Sequence, residues 1–470
     1  MAVLQGSAKS VADGGFYPTE IAQSLRFNDD DSAYLSWTPS VSGNRKLWTW
    51  SGWVKLGNMG ISQYLFSGDP NTASVSSGVT INNLGNFGIS LNGNTYNKYT
   101  SATLRDSSAW YHLVAIYDSA QATAADRIRL YINGVEQTSY YTQNSGLPPQ
   151  NRDSDYINTT TRMATALPYY GYYSDCYMAE VHFCDGTAYT ADDFGEFKSG
   201  VWVAKTPDVT YGTNGFYLDF ADSGALGTDS SGNGNTWTPT NLAATDQMLD
   251  SPTNNFATLN PLFEAVATYY EGNLKVDTGT TGDSGVVSSI LPTSGKWYWE
   301  VYYNSFGSNA AVVGLLPATS GYLYNDGYSY YSNNGNKVTT GTETAYGNSY
   351  TSGDIIGVAY DADTGSLTFY KNNVSQGLAF TGLSGELYPA IGDSTSVSIT
   401  LTANFGQDSS FAGAKTPQGN TDANGIGDFY YAPPTGYLAL CTANLPEPAI
   451  SPLNDASPSD YFNTVLYTGN

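Results

Sequence analysis

Basic residues are scarce in this chain: 18 Lys and Arg stand against 42 Asp and Glu, for a formal net charge of −24. Nucleic acid and anionic membrane surfaces are gripped by clustered cations, so both are excluded as leading partners. Charged residues of either sign make up only 13%, about half the share of an ordinary domain. Cysteine occurs three times, as Cys176, Cys184 and Cys441. An odd, low count builds no disulfide framework, and without C-x-x-C spacing it builds no zinc site. The two histidines, His112 and His182, each fall inside an apolar, strand-like run with no nucleophile elbow nearby. No G-x-x-x-x-G-K-S/T occurs, which removes the phosphate loop. No run reaches the ~18 apolar residues of a membrane helix. The opening MAVLQGSAKSVADGGFYP lacks the apolar core of a secretory signal, so the expectation is a protein made in a cytoplasm, without membrane insertion or ordinary export.

The chain is instead rich in turn and strand formers, with 50 Gly and 39 Tyr. That composition disfavours helix and predicts an all-β protein. The most informative stretch is Ser352–Asn373, SGDIIGVAYDADTGSLTFYKNN. Ile356, Val358 and Tyr360 point to one face of a first arm, and Ile355, Gly357 and Ala359 to the other. Asp361–Gly365 is a turn, and Leu367 and Phe369 share a face of the second arm. A related pattern stands earlier, where LVAIYD (113–118) leads through a longer polar connection into IRLYINGV (128–135). Two sandwiches in tandem, each carrying such a hairpin, are the simplest reading, with function on their loops.

Taken in order, residues 1–20 read as an arm, followed by short strands from Ser24 onward. LWTWSGWVK (47–55) alternates, with Trp48, Trp50 and Val54 on one face and Trp53 on the other. Cys176 and Cys184 flank one strand, which separates them too far to pair. Ala191–Phe197 is the single short helix expected. Residues 201–261 are Gly-, Asn- and Thr-rich and read as a linker, with Phe216–Phe220 a further strand within it. The segment 411–470 carries Pro433, Pro434, Pro446, Pro448, Pro452 and Pro458, which predicts an extended tail lying on its own domain or on a neighbour.

SLRFNDDDSAYLS, WTWSGWVK, YLFSG, the 112–135 hairpin and MAEVHFCDG resemble, in order and spacing, the laminin-G-like, concanavalin-type jelly roll over about residues 21–200. GKWYWEVYYNS (295–305), the 352–373 hairpin and LYPAIGD (387–393) resemble a SPRY domain over about residues 262–410. Both resemblances imply antiparallel two-sheet sandwiches. The combination with the 250–261 connector and PPTGYLALCTANLPEPAI (433–450) is similar to virion structural proteins of marine bacteriophages of the tail-fibre or appendage kind. That resemblance implies a non-enzymatic virion protein, with other virion proteins and further copies of itself as partners and a host-surface glycan as ligand. The remaining readings are a free glycan-binding or glycan-cleaving protein and a pure scaffold.

The chemistry fits binding better than catalysis. Glycoside hydrolysis needs two carboxylates about 5–9.5 Å apart. The nearest stretch, Glu180–Asp185, places its acids five residues apart, hence on opposite strand faces. The laminin-G-like resemblance implies a Ca²⁺ site of loop oxygens, for which Asp29, Asp30 and Asp31 are the candidates, with the Asp229–Asn235 loop a second. Asx-type turns are the alternative for both. Two aromatic loops are the candidate ligand sites: Tyr169, Tyr170, Tyr172 and Tyr173 in one, and Tyr322, Tyr324, Asp326, Tyr328, Tyr330 and Tyr331 in the other. Tyr, Gly, Ser and Asn together give flat contact area with adaptable hydrogen bonding; packing between domains or subunits is the alternative.

Overall fold

Apolar alternation across the chain resolves into two antiparallel β-sandwiches. The computed structural model describes residues 16–70, 76–142, 146–263, 267–280, 282–306 and 310–446. In the first sandwich, one sheet runs Val135–Glu136, Ile128–Ile132, Trp110–Asp118, Leu47–Leu56, Cys176–Asp185, Ser24–Phe27, Gln247–Met248, with Phe216–Leu218 also paired to Cys176–Asp185. The facing sheet runs Tyr140–Tyr141, Tyr96–Thr103, Asn86–Leu91, Ser77–Ile81, Gln63–Asp69, Arg162–Ala164, Tyr34–Trp37, Thr238–Thr240. Trp48, Trp50 and Val54 enter the core between them, while Trp53 lies in a separate cluster on the outer face, as the alternation of LWTWSGWVK requires.

The second sandwich is built around the 352–373 hairpin. Ile355–Asp361 pairs with Ser366–Lys371, closing at Asp361 opposite Ser366. Ile356, Val358, Tyr360, Leu367 and Phe369 all enter one core. Next to the hairpin, Lys296–Phe306 lies between Ile355–Asp361 and Ile399–Asn404. The opposing sheet runs Ser284–Val287, Leu387–Asp393, Ala311–Pro317, Tyr328–Tyr331, Lys337–Thr339, Thr342–Thr344.

Two expectations are corrected. Residues 201–261 do more than link: Phe216–Leu218, Thr238–Thr240 and Gln247–Met248 are strands of the first sandwich, and Phe216, Leu218, Phe220 and Trp237 fill its core. The short helix is instead a 3₁₀ turn at Ala191–Asp193 followed by the strand Gly195–Lys198, which pairs with Val201–Ala204. Pairing with Val201–Ala204 satisfies the backbone of Gly195–Lys198 in place of a helix, and the described α-helix is the single turn Leu323–Asp326. The tail is extended, and its described part is docked on the second sandwich: Leu438–Ala439 pairs in parallel with Lys296–Phe306, and Phe429, Ala439 and Cys441 are buried. Residues 1–15 of the arm and 447–470 of the tail lie outside the described residues. All three cysteines are buried and free.

The two sandwiches meet in a polar, buried seam. Arg26, 1% exposed, bonds Asp246 at 3.0 Å, Glu271 at 3.3 Å and Asp408 at 3.2 Å. Lys55 bonds Asp250 at 2.6 Å, Asn255 at 2.7 Å and the Phe256 carbonyl at 3.1 Å. Tyr177 donates to the Gly272 carbonyl at 2.8 Å, and Asn273 Nδ2 donates to the Gly57 carbonyl at 3.3 Å. Buried charges of this kind hold a geometry because breaking any one pair strands its partner.

Candidate functional site

A ridge of tyrosines stands on the outer face of the first sandwich. Leu35 and Leu65 point into the core, so their neighbours Tyr34 and Tyr64 face outward. The Tyr64 ring lies across Gly78, where a Cβ would come within 2.7 Å of Tyr64 Cδ1; a glycine there is what lets the ring lie flat. The loop after Arg162–Ala164 curls over this face. Leu167 and Tyr172 exchange backbone hydrogen bonds of 2.8 and 3.3 Å, enclosing a 3₁₀ turn at Pro168–Tyr170. Gly171, at φ 70°, closes the turn with open space where a side chain would be.

The rings that result are ordered and accessible. Tyr169, Tyr170 and Tyr172 are 44%, 44% and 45% exposed. Tyr170 and Tyr172 lie 6.4 Å apart at 21°, Tyr172 and Tyr64 5.8 Å apart at 20°, and Tyr169 meets Tyr170 edge-on at 5.1 Å. Tyr173, half-buried, packs on Tyr34 at 6.2 Å, and the Arg162 guanidinium, bonded to Asp69, sits 5.8 Å from the Tyr34 ring. Exposed near-parallel rings on a loop fixed at both ends give flat contact area with little rotamer freedom left to lose.

The second aromatic loop is divided by its strand. Tyr322 is 56% exposed, Tyr324 donates to Glu343 at 2.7 Å, and Asp326 accepts from Ser320. Tyr328 is half-buried against Phe380. Tyr330 and Tyr331, at 0% and 8% exposed, leave the candidate site. Tyr330 stacks on Phe369 in the core and Tyr331 packs against Tyr324 on the other face, because Tyr328–Tyr331 is an interior strand and consecutive residues alternate faces.

The two oxygen-rich loops offered for Ca²⁺ are held by hydrogen bonds of their own. Among the described residues no three His, Cys, Asp or Glu side chains are placed to hold a metal ion. Asn28 Oδ1 caps the Asp30 amide, and Asp29 accepts from Asn58 Nδ2 at 3.4 Å. Asp229 receives the amides of Tyr217, Ser231 and Asn235. Both loops are turns stabilised by their own side chains.

Groups that resemble catalytic ones are locked in place. The Trp202 indole N–H can only donate, and it reaches His112 Nδ1 at 3.0 Å. Neutral His112 therefore carries its proton on Nε2 and donates to Ser51 Oγ at 2.9 Å, so it cannot activate that serine. Burial pushes His112 and His182 down to about 3. Glu180, which sequence reasoning set aside, sits at φ 50° in a bulge of the Cys176–Asp185 strand. Its Oε2 accepts from Tyr217 at 2.7 Å, and burial pushes its carboxyl up to about 7. Asp185 is saturated by the Asn44 amide, the Asn158 side chain and the Asn214 amide.

Fold and site together define a tandem of two jelly-roll sandwiches with an exposed aromatic ridge on the first. Residues 29–192 match the concanavalin A-like lectin/glucanases superfamily, and residues 296–408 match the SPRY domain; the chain carries one domain of each kind, in that order. Ran-binding protein 9 of Xenopus laevis is 32% identical over 150 residues, 30% of this chain and 26% of that protein. Ran-binding protein 10 of Danio rerio is 34% identical over 132 residues, 25% of this chain and 20% of that protein. The chain spans about a quarter of the length of the curated relatives it matches. The SPRY domain of human HERC1 aligns at a TM-score of 0.29 and 23% identity, covering 31% of this chain and 96% of that one. A heptameric pentraxin of Limulus polyphemus aligns at 0.28 and 16%, covering 37% and 81%.

Proposed function

We propose that the chain is a non-enzymatic recognition protein of a bacteriophage particle, a tail fibre or surface appendage, whose first sandwich binds a host-surface glycan through the tyrosine ridge. The observation that carries this reading is the exposure of Tyr169, Tyr170 and Tyr172, each between 44% and 45%, on a loop fixed by the Leu167–Tyr172 bridge. Sugar rings present flat C–H faces that such side chains cover, while their hydroxyls bond the phenol oxygens. Many copies on one particle turn weak single contacts into firm attachment. The order of domains and the connector carry the virion part of the proposal. The likeness to Ran-binding proteins falls on about a third of the chain, and it supports a protein partner for the chain: a neighbouring virion subunit or a second copy. Screening the full chain against immobilised glycans tests the reading, with Tyr172→Ala as the control that removes the middle ring. Equal binding by wild type and variant to every glycan would end it.

A further inference from the structure

The seam contains a carboxyl group with no cation against it. Asp175, immediately before the Cys176–Asp185 strand, is 0% exposed. Its Oδ2 accepts the Asn58 amide at 3.0 Å. Oδ1 has no hydrogen-bond partner. It lies so close to Gly57 that a Cβ there would come within 2.6 Å of it. Asn273 is 1% exposed and reaches the same Gly57 through Nδ2, leaving its own Oδ1 unpartnered.

The charged groups that face this point are of the wrong sign to help. Asp29, from the turn after Ser24–Phe27, and Glu271, from the second sandwich, both add negative potential. Arg26 is already shared by three acids, and Lys55 is bonded to Asp250. On its own strand the neighbours are Cys176 and Tyr177, whose burial raises both well above their ordinary values and keeps them neutral. A buried carboxylate without a counter-charge is costly, and taking up a proton is the standard escape.

We propose that Asp175 is a proton-operated latch between the sandwiches: protonated, it keeps the Glu271–Asn273 turn seated on Gly57–Asn58, and ionised, it loosens that contact. Burial, with Asp29 and then Glu271 adding to it, pushes this carboxyl up to about 8. The sign follows from linkage. The closed seam holds the proton over a window in which an exposed aspartate has lost it, from about pH 4 to about pH 8. Local opening at this contact therefore becomes about tenfold easier for each pH unit across that window, and flattens above it. The Arg26 and Lys55 clusters keep the two bodies together, so the change is confined to the contact around Asp175.

Hydrogen exchange on the full chain reads this directly, in peptides covering residues 56–59 and 270–274, from about pH 5 to about pH 8 and corrected for intrinsic base catalysis. Wild-type protection at both peptides is expected to fall by up to about tenfold per unit, while Asp175→Asn, which keeps an acceptor for the Asn58 amide, stays level. A level wild-type profile, or an Asp175→Asn profile as steep as wild type, overturns the latch. The 355–371 hairpin serves as the internal reference. If Asp175→Asn loses protection there too, the variant is unfolded and the wild-type comparison decides: a fall at the seam with a level hairpin supports the latch, and a parallel fall in both overturns it. Recovery of seam protection by millimolar Ca²⁺ at the upper end of the range also overturns it, because Asp175 is then a cation ligand.

Discussion

Replacing Arg26 by methionine removes the one cation that three acids share. Methionine keeps most of the apolar stem, so lost packing accounts for less than about 1.5 kcal/mol. The larger part is electrostatic. Asp408, Glu271 and Asp246 are 3%, 10% and 18% exposed, and stranding buried carboxylates of a broken cluster costs about 3–5 kcal/mol. Urea unfolding followed by tryptophan fluorescence is expected to show that loss at neutral pH. Arg26→Met combined with Asp408→Asn is expected to recover about 1 kcal/mol or more relative to the sum of the single changes, since the carboxylate at 3.2 Å no longer lacks a partner. Burial already raises Glu271, with Arg26 opposing the rise, so the Arg26→Met penalty shrinks as the medium is acidified and Glu271 protonates. A penalty under about 1 kcal/mol, or strict additivity with Asp408→Asn, refutes the claim that this cluster welds the sandwiches.

Further outcomes follow from the same coordinates. Tyr172→Ala leaves stability within about 0.5 kcal/mol, because the side chain is exposed, but weakens glycan binding about five- to thirtyfold; calorimetry and thermal melting separate the two. Glu300 is 0% exposed and accepts the amides of Tyr430 at 2.8 Å and Tyr431 at 2.7 Å; Glu300→Ala leaves both without that acceptor, costs about 1–3 kcal/mol and exposes residues 411–446 to limited proteolysis. Burial pushes Glu300 up to about 7, above its unfolded value, so the folded state holds the extra proton and wild-type stability falls as pH rises from about 4.5 to 7; a melting point that climbs over that range contradicts the assignment. Gly68→Ala places a Cβ 2.3 Å from the Tyr156 carbonyl carbon, which lowers stability by about 1–3 kcal/mol in chemical denaturation.

What the sequence makes legible is the local part of the fold. The Ile355–Lys371 hairpin has its faces and its turn written in a two-residue alternation, because both arms face one core. LWTWSGWVK is readable for the same reason. The non-local part is less visible. Phe216, Leu218 and Phe220 alternate, yet they stand among glycines and asparagines, and their partner strand is Val181–Phe183, far away in the chain. The alternation marks a strand over 216–220, but the polar surroundings hide that it joins the first sandwich. Tyr330 and Tyr331 illustrate the converse: a run of tyrosines looks like one surface until strand geometry sends consecutive rings to opposite faces. The Tyr169–Tyr173 loop was readable from composition, but its stacking on Tyr64 and Tyr34 was not, since those rings come from two separate strands. Asp175 gave no signal at all, because its environment exists only where the second sandwich closes on the first.

The central claim is that the ridge recognises a ligand by contact and leaves its bonds intact. An immobilised-glycan screen of the full chain, wild type beside the Tyr169→Ala, Tyr170→Ala, Tyr172→Ala triple variant, with each bound glycan weighed afterwards by mass spectrometry, tests it most directly. The account expects wild-type binding to at least one glycan, loss of that binding in a triple variant that still melts normally, and unchanged glycan mass. Undiminished binding by the triple variant, or a glycan shortened by wild type, contradicts it.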